Sequence, residues 1–173
     1  MNRNATDERD DTATPTGAES AEAIVVGLDG SRSAAAALQW ASEQSRVSGV
    51  PLRVVHAWQM RAIEVAAASA EFWETAQADA RARATRWVLD ALGGGLAEVR
   101  WSLDIAEGPP GPVLVGRSRG ARLLVLGTRE STGLKRAVLG SVSHYCLSHA
   151  EVPVVAVPMT EVLRMPGWVA VPA

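Results

Sequence analysis

Cysteine is nearly absent: the 173 residues hold one, alongside one tyrosine and one phenylalanine. A lone thiol, Cys146, cannot close an internal disulfide, which excludes a disulfide scaffold and fits a reducing cytoplasm. No apolar run approaches the roughly 18 residues of a membrane span, which argues against an integral membrane protein. The opening MNRNATDERDDTATPTGAES has no apolar h-region, so no secretory signal is expected. Positive charge is not in excess either. Seventeen Lys and Arg face 19 Asp and Glu, for a net charge of −2, whereas a dedicated nucleic-acid binder carries a basic surplus. These absences leave a single cytoplasmic domain of ordinary size, without nucleic-acid or membrane partners.

What is present is unevenly spread. Residues 1–22 hold six acids and two bases and none of Ile, Val, Leu, Phe, Tyr or Trp. Such a segment has nothing to offset its ordering entropy and reads as a disordered tail. From Ala23 on, strand-like and helix-like segments alternate. Ala23–Leu28 is a short β-branched run ending at Asp29-Gly30-Ser31. Ala34, Ala37, Leu38 and Ala41 then define one helix face, stopped by Gly49-Val50-Pro51. Leu52–Trp58 is a second strand. A long helix from Ser69 carries Trp73, Ala76, Ala80, Ala84, Trp87 and Ala91 on one stripe, and Gly93-Gly94-Gly95 ends it with a left-handed cap.

A third strand is expected over Ala97–Ile105 and a short helix over 112–119, opened by Gly108-Pro109-Pro110-Gly111. Arg122–Leu126 is a fourth strand ending at Gly127, and 128–139 is a loop. Gly140-Ser141 starts a helix with Val142, Tyr145, Cys146 and His149 on its buried face. Val152–Val157 is a fifth strand, and 159–173 is a C-terminal tail. Strands separated by helices of this length require parallel crossovers, with helices on both faces. In such sheets ligands sit at the carboxyl ends of strands where the strand order reverses. The turns after strands one and four are therefore the first places to look.

Gly127 follows an apolar strand directly, which would admit close backbone approach of a ligand. Thirteen residues on, Gly140-Ser141-Val142-Ser143 opens a helix whose free N–H groups and hydroxyls could serve phosphate, although Ser141 could equally be a plain N-cap. Asp29 could accept hydrogen bonds from a ribose or base, or it could cap the first helix in competition with Ser31. His56, inside an apolar strand, reads as a core histidine bonded to a backbone group. Cys146 reads as a small buried hydrophobe. The three histidines share no metal-ligand spacing with Cys146 or each other, so no metal site is expected. There is no Walker A loop and no G-x-G-x-x-G turn. No catalytic constellation emerges, and the chain is not expected to be an enzyme.

The segments IVVGLDGS, VVHAW, Glu107-Gly108-Pro109 and above all LLVLGTRESTGLKRAVLGSVSHYCLSHAEVPVVAV resemble the universal stress protein family, over a domain at 23–158. The resemblance implies a five-stranded parallel α/β fold of order 3-2-1-4-5, Rossmann-like and similar to the adenine nucleotide alpha hydrolases. It implies a homodimer, expected to form through the fifth strand at Val152–Val157, and a stress-response role. ATP-binding members carry G-x2-G-x9-G-(S/T) after strand four. Here the pattern reads Gly127-x2-Glu130-x9-Gly140-Ser141, its spacing intact and its middle glycine a glutamate. Position by position, the resemblance implies adenosine contacts from Gly27, Leu28, Asp29, Ala57, Leu126 and Gly127. It implies phosphate contacts from Gly140, Ser141, Val142 and Ser143. ATP, with or without Mg²⁺, is the implied ligand; the family's non-ATP-binding dimers are the alternative.

Overall fold

The β-branched side chains of β1 (Ile24–Gly27) are buried throughout, as a strand covered on both faces requires. The computed structural model describes residues 22–60, 69–130, 137–138 and 140–158. The tail through residue 21, the stretch 61–68, most of the loop after strand four and the C-terminal tail lie outside these residues. Glu22, at the end of the acidic segment, donates its N–H to the Gly120 carbonyl.

Ser31 caps α1 (Arg32–Ser48), and Gly49 ends it. At φ +70° Gly49 takes the left-handed conformation that a Cβ disfavours, and its N–H closes on the Ser45 carbonyl. Ala34, Ala37, Leu38 and Ala41 are all buried, as their spacing predicts. After β2 (Leu52–Trp58) comes α2 (Ala70–Leu92), capped by Ser69. Of its predicted stripe, Ala80 and Ala84 are fully buried and the two tryptophans half-buried. The glycine run departs from expectation. Gly93 adopts φ +50° with ψ −127°, outside the left-handed cap region, and leads into a 3-10 turn over Gly93–Glu98.

That turn pushes β3 to Trp101–Glu107, later than the predicted start at Ala97. The partner decides the boundary: β3 pairs β2 residue for residue, from Leu52 with Trp101 to Trp58 with Glu107. Next, α3 (Pro110–Arg117) begins with Pro110 where an N–H has no helical acceptor. The fourth strand, β4 (Leu123–Glu130), runs past Gly127, and a two-residue β5 (Ala137–Val138) pairs antiparallel with its end. Part of the predicted loop is therefore sheet. α4 (Ser141–His149) and β6 (Val154–Pro158) complete the chain. On α4 the buried residues are Ser143 and Cys146, while His149 is exposed; its ring stacks on Tyr145 instead.

Parallel pairing gives the order β3-β2-β1-β4-β6, the predicted five-strand arrangement. Alternation divides the core into two faces. Ile24, Val26, Leu38, Val54, Val125 and Val157 pack on the α1 side, with Val88 of α2 joining them. Val25, Val55, Leu114, Leu124, Leu126 and Cys146 pack on the α3–α4 side. A charged side chain is buried in this frame: Arg53 of β2 meets Asp104 of β3 at 2.7 Å, and Arg117 approaches the same oxygen at 3.4 Å. No helix among the described residues is long and apolar enough to cross a membrane.

Candidate nucleotide cleft

β1 has β2 on one side and β4 on the other, so the connections leaving β1 and β4 run to opposite sides of the sheet. A cleft of about 150 Å³ opens where they part. Gly27, Leu28 and Asp29 line it from the exit of β1, Ala57 from β2, and Leu126 and Gly127 from β4. Gly140, Ser141, Val142 and Ser143 line it from the start of α4. All ten residues named from the sequence thus meet at one cleft. Ser33, Ala34, Val55, Pro110 and Leu114 line it as well and were not foreseen. The helix start at Ser31 was legible, the next was expected at 112 and comes at Pro110, and which helix ends converge depends on the sheet order.

The first turn of α1 settles the competition between Asp29 and Ser31. Ser31 Oγ accepts from the Ala34 N–H at 3.2 Å, making Ser31 the cap. Its own proton goes to Asp29 Oδ1 at 2.6 Å, so Ser33, 3.1 Å away, must donate to it. Asp29 Oδ1 also accepts the Ser31 N–H at 3.0 Å. The carboxylate is thereby held beside the cleft through one oxygen, and Asp29 is the only charged residue lining it among those described.

α4 is built differently. Its N-cap is Gly140, which has no side chain to offer, and no side-chain cap bond is present. Ser141 is therefore not the cap. The first N–H groups of α4 open onto the cleft together with the positive end of the helix dipole. Ser143 is turned away: buried, it donates its hydroxyl to the Gly127 carbonyl at 3.4 Å. Its backbone N–H, not its side chain, is what it offers a ligand.

Gly127 is required by packing. A Cβ there would run into the Ser33 carbonyl and come within 2.8 Å of the Ala34 nitrogen. The absence of a side chain lets β4 pass directly beneath the start of α1. His56 is a core histidine, as its strand position predicts: buried, with Nδ1 2.8 Å from the Leu28 carbonyl. That acceptor places the proton on Nδ1. Cys146 lies behind the cleft, fully buried, where burial pushes its thiol up to about 11. Among the described residues no three His, Cys, Asp or Glu side chains cluster as metal ligands would.

Residues 21–158 match the Universal stress protein family. The chain belongs to that family. A universal stress protein of Mycobacterium tuberculosis is 31% identical over 131 residues, covering 76% of this chain and 46% of that protein. The chain spans about half the length of the curated relatives it matches. Among solved structures, the universal stress protein UspA from Lactobacillus plantarum superposes with a TM-score of 0.61 at 19% identity, covering 79% of this chain and 97% of that one. The universal stress protein from Archaeoglobus fulgidus in complex with dAMP gives 0.53 at 22% identity, over 78% and 96%. These likenesses show the universal stress protein fold.

Proposed function

We propose that this universal stress protein binds an adenine nucleotide in the cleft and acts in the cytoplasm as a non-catalytic stress-response module. One observation carries the reading: α4 starts without a side-chain cap and opens onto the cleft that Asp29 flanks. An uncapped helix start supplies donors and a positive potential to phosphate, while a carboxylate accepts from sugar hydroxyls or a base amine. Gly27, Leu28, Asp29, Ala57, Leu126 and Gly127 would hold the adenosine; the backbone at Gly140, Ser141, Val142 and Ser143 would hold phosphate. The dAMP complex of the Archaeoglobus relative supports the ligand class. ATP is the form implied by the family's glycine pattern, with Mg²⁺ as a companion ion. The domain would be 23–158, flanked by tails at 1–22 and 159–173, and would dimerise through the fifth strand.

Glu130 favours a second reading, a dimeric interaction protein without nucleotide. It stands at the pattern's middle glycine, where β4 continues as strand and Glu130 is in register with Ala137. Two like charges about 6 Å apart repel by about 3 kcal/mol at an effective dielectric near 20. Screening reduces this to about a tenfold effect on affinity. Calorimetry without magnesium should give ATP affinities rising from wild type to Glu130→Gln to Glu130→Gly. Magnesium reverses the first step if the carboxylate becomes its ligand. Absence of binding by all three proteins, with and without the metal, would leave the interaction protein.

A further inference from the structure

Two side chains that do not line the cleft hold the turn that does. β2 alternates across the sheet: Val55 and Ala57 face the cleft, so His56 between them faces the α1–α2 side. From there its Nδ1–H donates to the Leu28 carbonyl at 2.8 Å. The Leu28 N–H meanwhile continues the ladder to the Val55 carbonyl at 2.9 Å. Leu28 is thus fixed at both backbone groups. On the other flank of Asp29, Gly30 sits at φ +78°, and the Trp87 ring closes against it so tightly that a Cβ would stand 2.5 Å from two ring carbons. Trp87 also meets the His56 ring edge-on, with centroids 5.2 Å apart and planes at 87°. The residues before and after Asp29 are therefore braced from behind by one contiguous pair, anchored in α2 and β2.

We propose that His56 and Trp87 are positioning residues for ligand binding, fixing the Leu28–Gly30 turn so that the Asp29 carboxylate stands ready at the cleft. The proposal rests on the nucleotide reading above. Asp29 is itself exposed and, among the described residues, tethered only through Ser31, so its direction follows the path of its own backbone. A carboxylate that must reach particular ligand hydroxyls loses affinity when that path loosens. The brace also ties α2, remote in sequence, to the ligand.

The test titrates ATP and AMP calorimetrically into five proteins and follows peptide-resolved hydrogen exchange of the unliganded forms. His56→Phe fills the space without a donor, and His56→Asn places an amide N–H near the Nδ1 position. Trp87→Ala removes the wall against Gly30. Val88→Ala is the control, since Val88 is fully buried on the same helix and is not part of the brace. His56→Phe and Trp87→Ala should weaken binding about tenfold, as loss of a buried hydrogen bond or ring implies. Both should speed exchange over residues 28–31. His56→Asn should stay within about threefold of wild type, and Val88→Ala should spare affinity despite lower stability. If His56→Phe fails to fold, His56→Gln, whose amide reaches past the Nδ1 position, replaces it with the same expected loss. Unchanged affinity in the His56 and Trp87 variants, or an equal loss in Val88→Ala, overturns the proposal alone. No binding by wild type overturns the nucleotide reading and this proposal with it.

Discussion

Gly127, inside β4, and Gly140, at the start of α4, have opposite surroundings. A side chain at Gly127 would strike the backbone of Ser33 and Ala34, which cannot yield without moving the start of α1. Gly140 has nothing within 4 Å of a would-be Cβ and a φ of −68° that any residue adopts. Gly127→Ala should cost at least about 2 kcal/mol in denaturant unfolding; Gly140→Ala should stay within about 0.5 kcal/mol. Cys146 gives a second prediction at this scale. Its folded thiol titrates near 11, against an ordinary value of 9.0. As pH rises past 9, the unfolded chain releases this proton while the folded chain keeps it. The contribution is thus complete below that value and is lost between 9 and 11. Cys146→Ala should remove that part of the decline, as read from urea midpoints at stepped pH. The native thiol should also resist a disulfide reagent at pH 8 until the protein unfolds.

Two helix starts meet at the cleft and invite different substitutions. α1 depends on Ser31, which both caps Ala34 and ties down Asp29. Ser31→Ala should cost about 1 kcal/mol. Ser141 is exposed and caps nothing, so Ser141→Ala should leave stability unchanged within about 0.5 kcal/mol. Nucleotide affinity in the second variant should fall only modestly, because backbone N–H groups remain. Local sequence made both helix starts visible. It could not tell that Ser31 would cap while Ser141 would not, since a hydroxyl caps only where its own backbone turns extended, and Gly140 takes that position in α4. Strand three shows the same limit: its composition allowed a start at Ala97, and its seven-residue partner set the start at Trp101.

At the scale of the molecule, β6 closes the sheet beside β4. Its side chains are already committed: Val155 and Val157 to the α1 face and Val154 to the α3–α4 face, which Val152, just ahead of the strand, also joins. A lysine at Val155 would therefore disturb the core as well as an interface. What a second copy would use is the outer edge of β6, which no other described strand pairs, and the half-buried side chains flanking it. Light scattering at tens of micromolar should return the mass of a dimer, and a monomer mass would overturn this expectation. Deleting residues 1–21 should shift the thermal midpoint by no more than about 2 °C, because they carry no large hydrophobe and precede Glu22, whose N–H is the anchor to Gly120.

The alternation of β-branched runs with alanine-rich helical faces determined the parallel, two-faced architecture. The stretch from Leu123 to Val157 was sufficient to mark the family, and through it the ten residues that line the cleft. These are local properties: hydrophobic period, turn residues and spacing survive in a linear reading. Tertiary structure alone decided why Gly127 must lack a side chain, where the His56 proton goes, and how Trp87 closes on Gly30. Each depends on a partner far along the chain, such as Ser33 against Gly127 or Trp87 behind Gly30. Excluded volume and hydrogen-bond direction come into being only when those partners are brought within van der Waals reach.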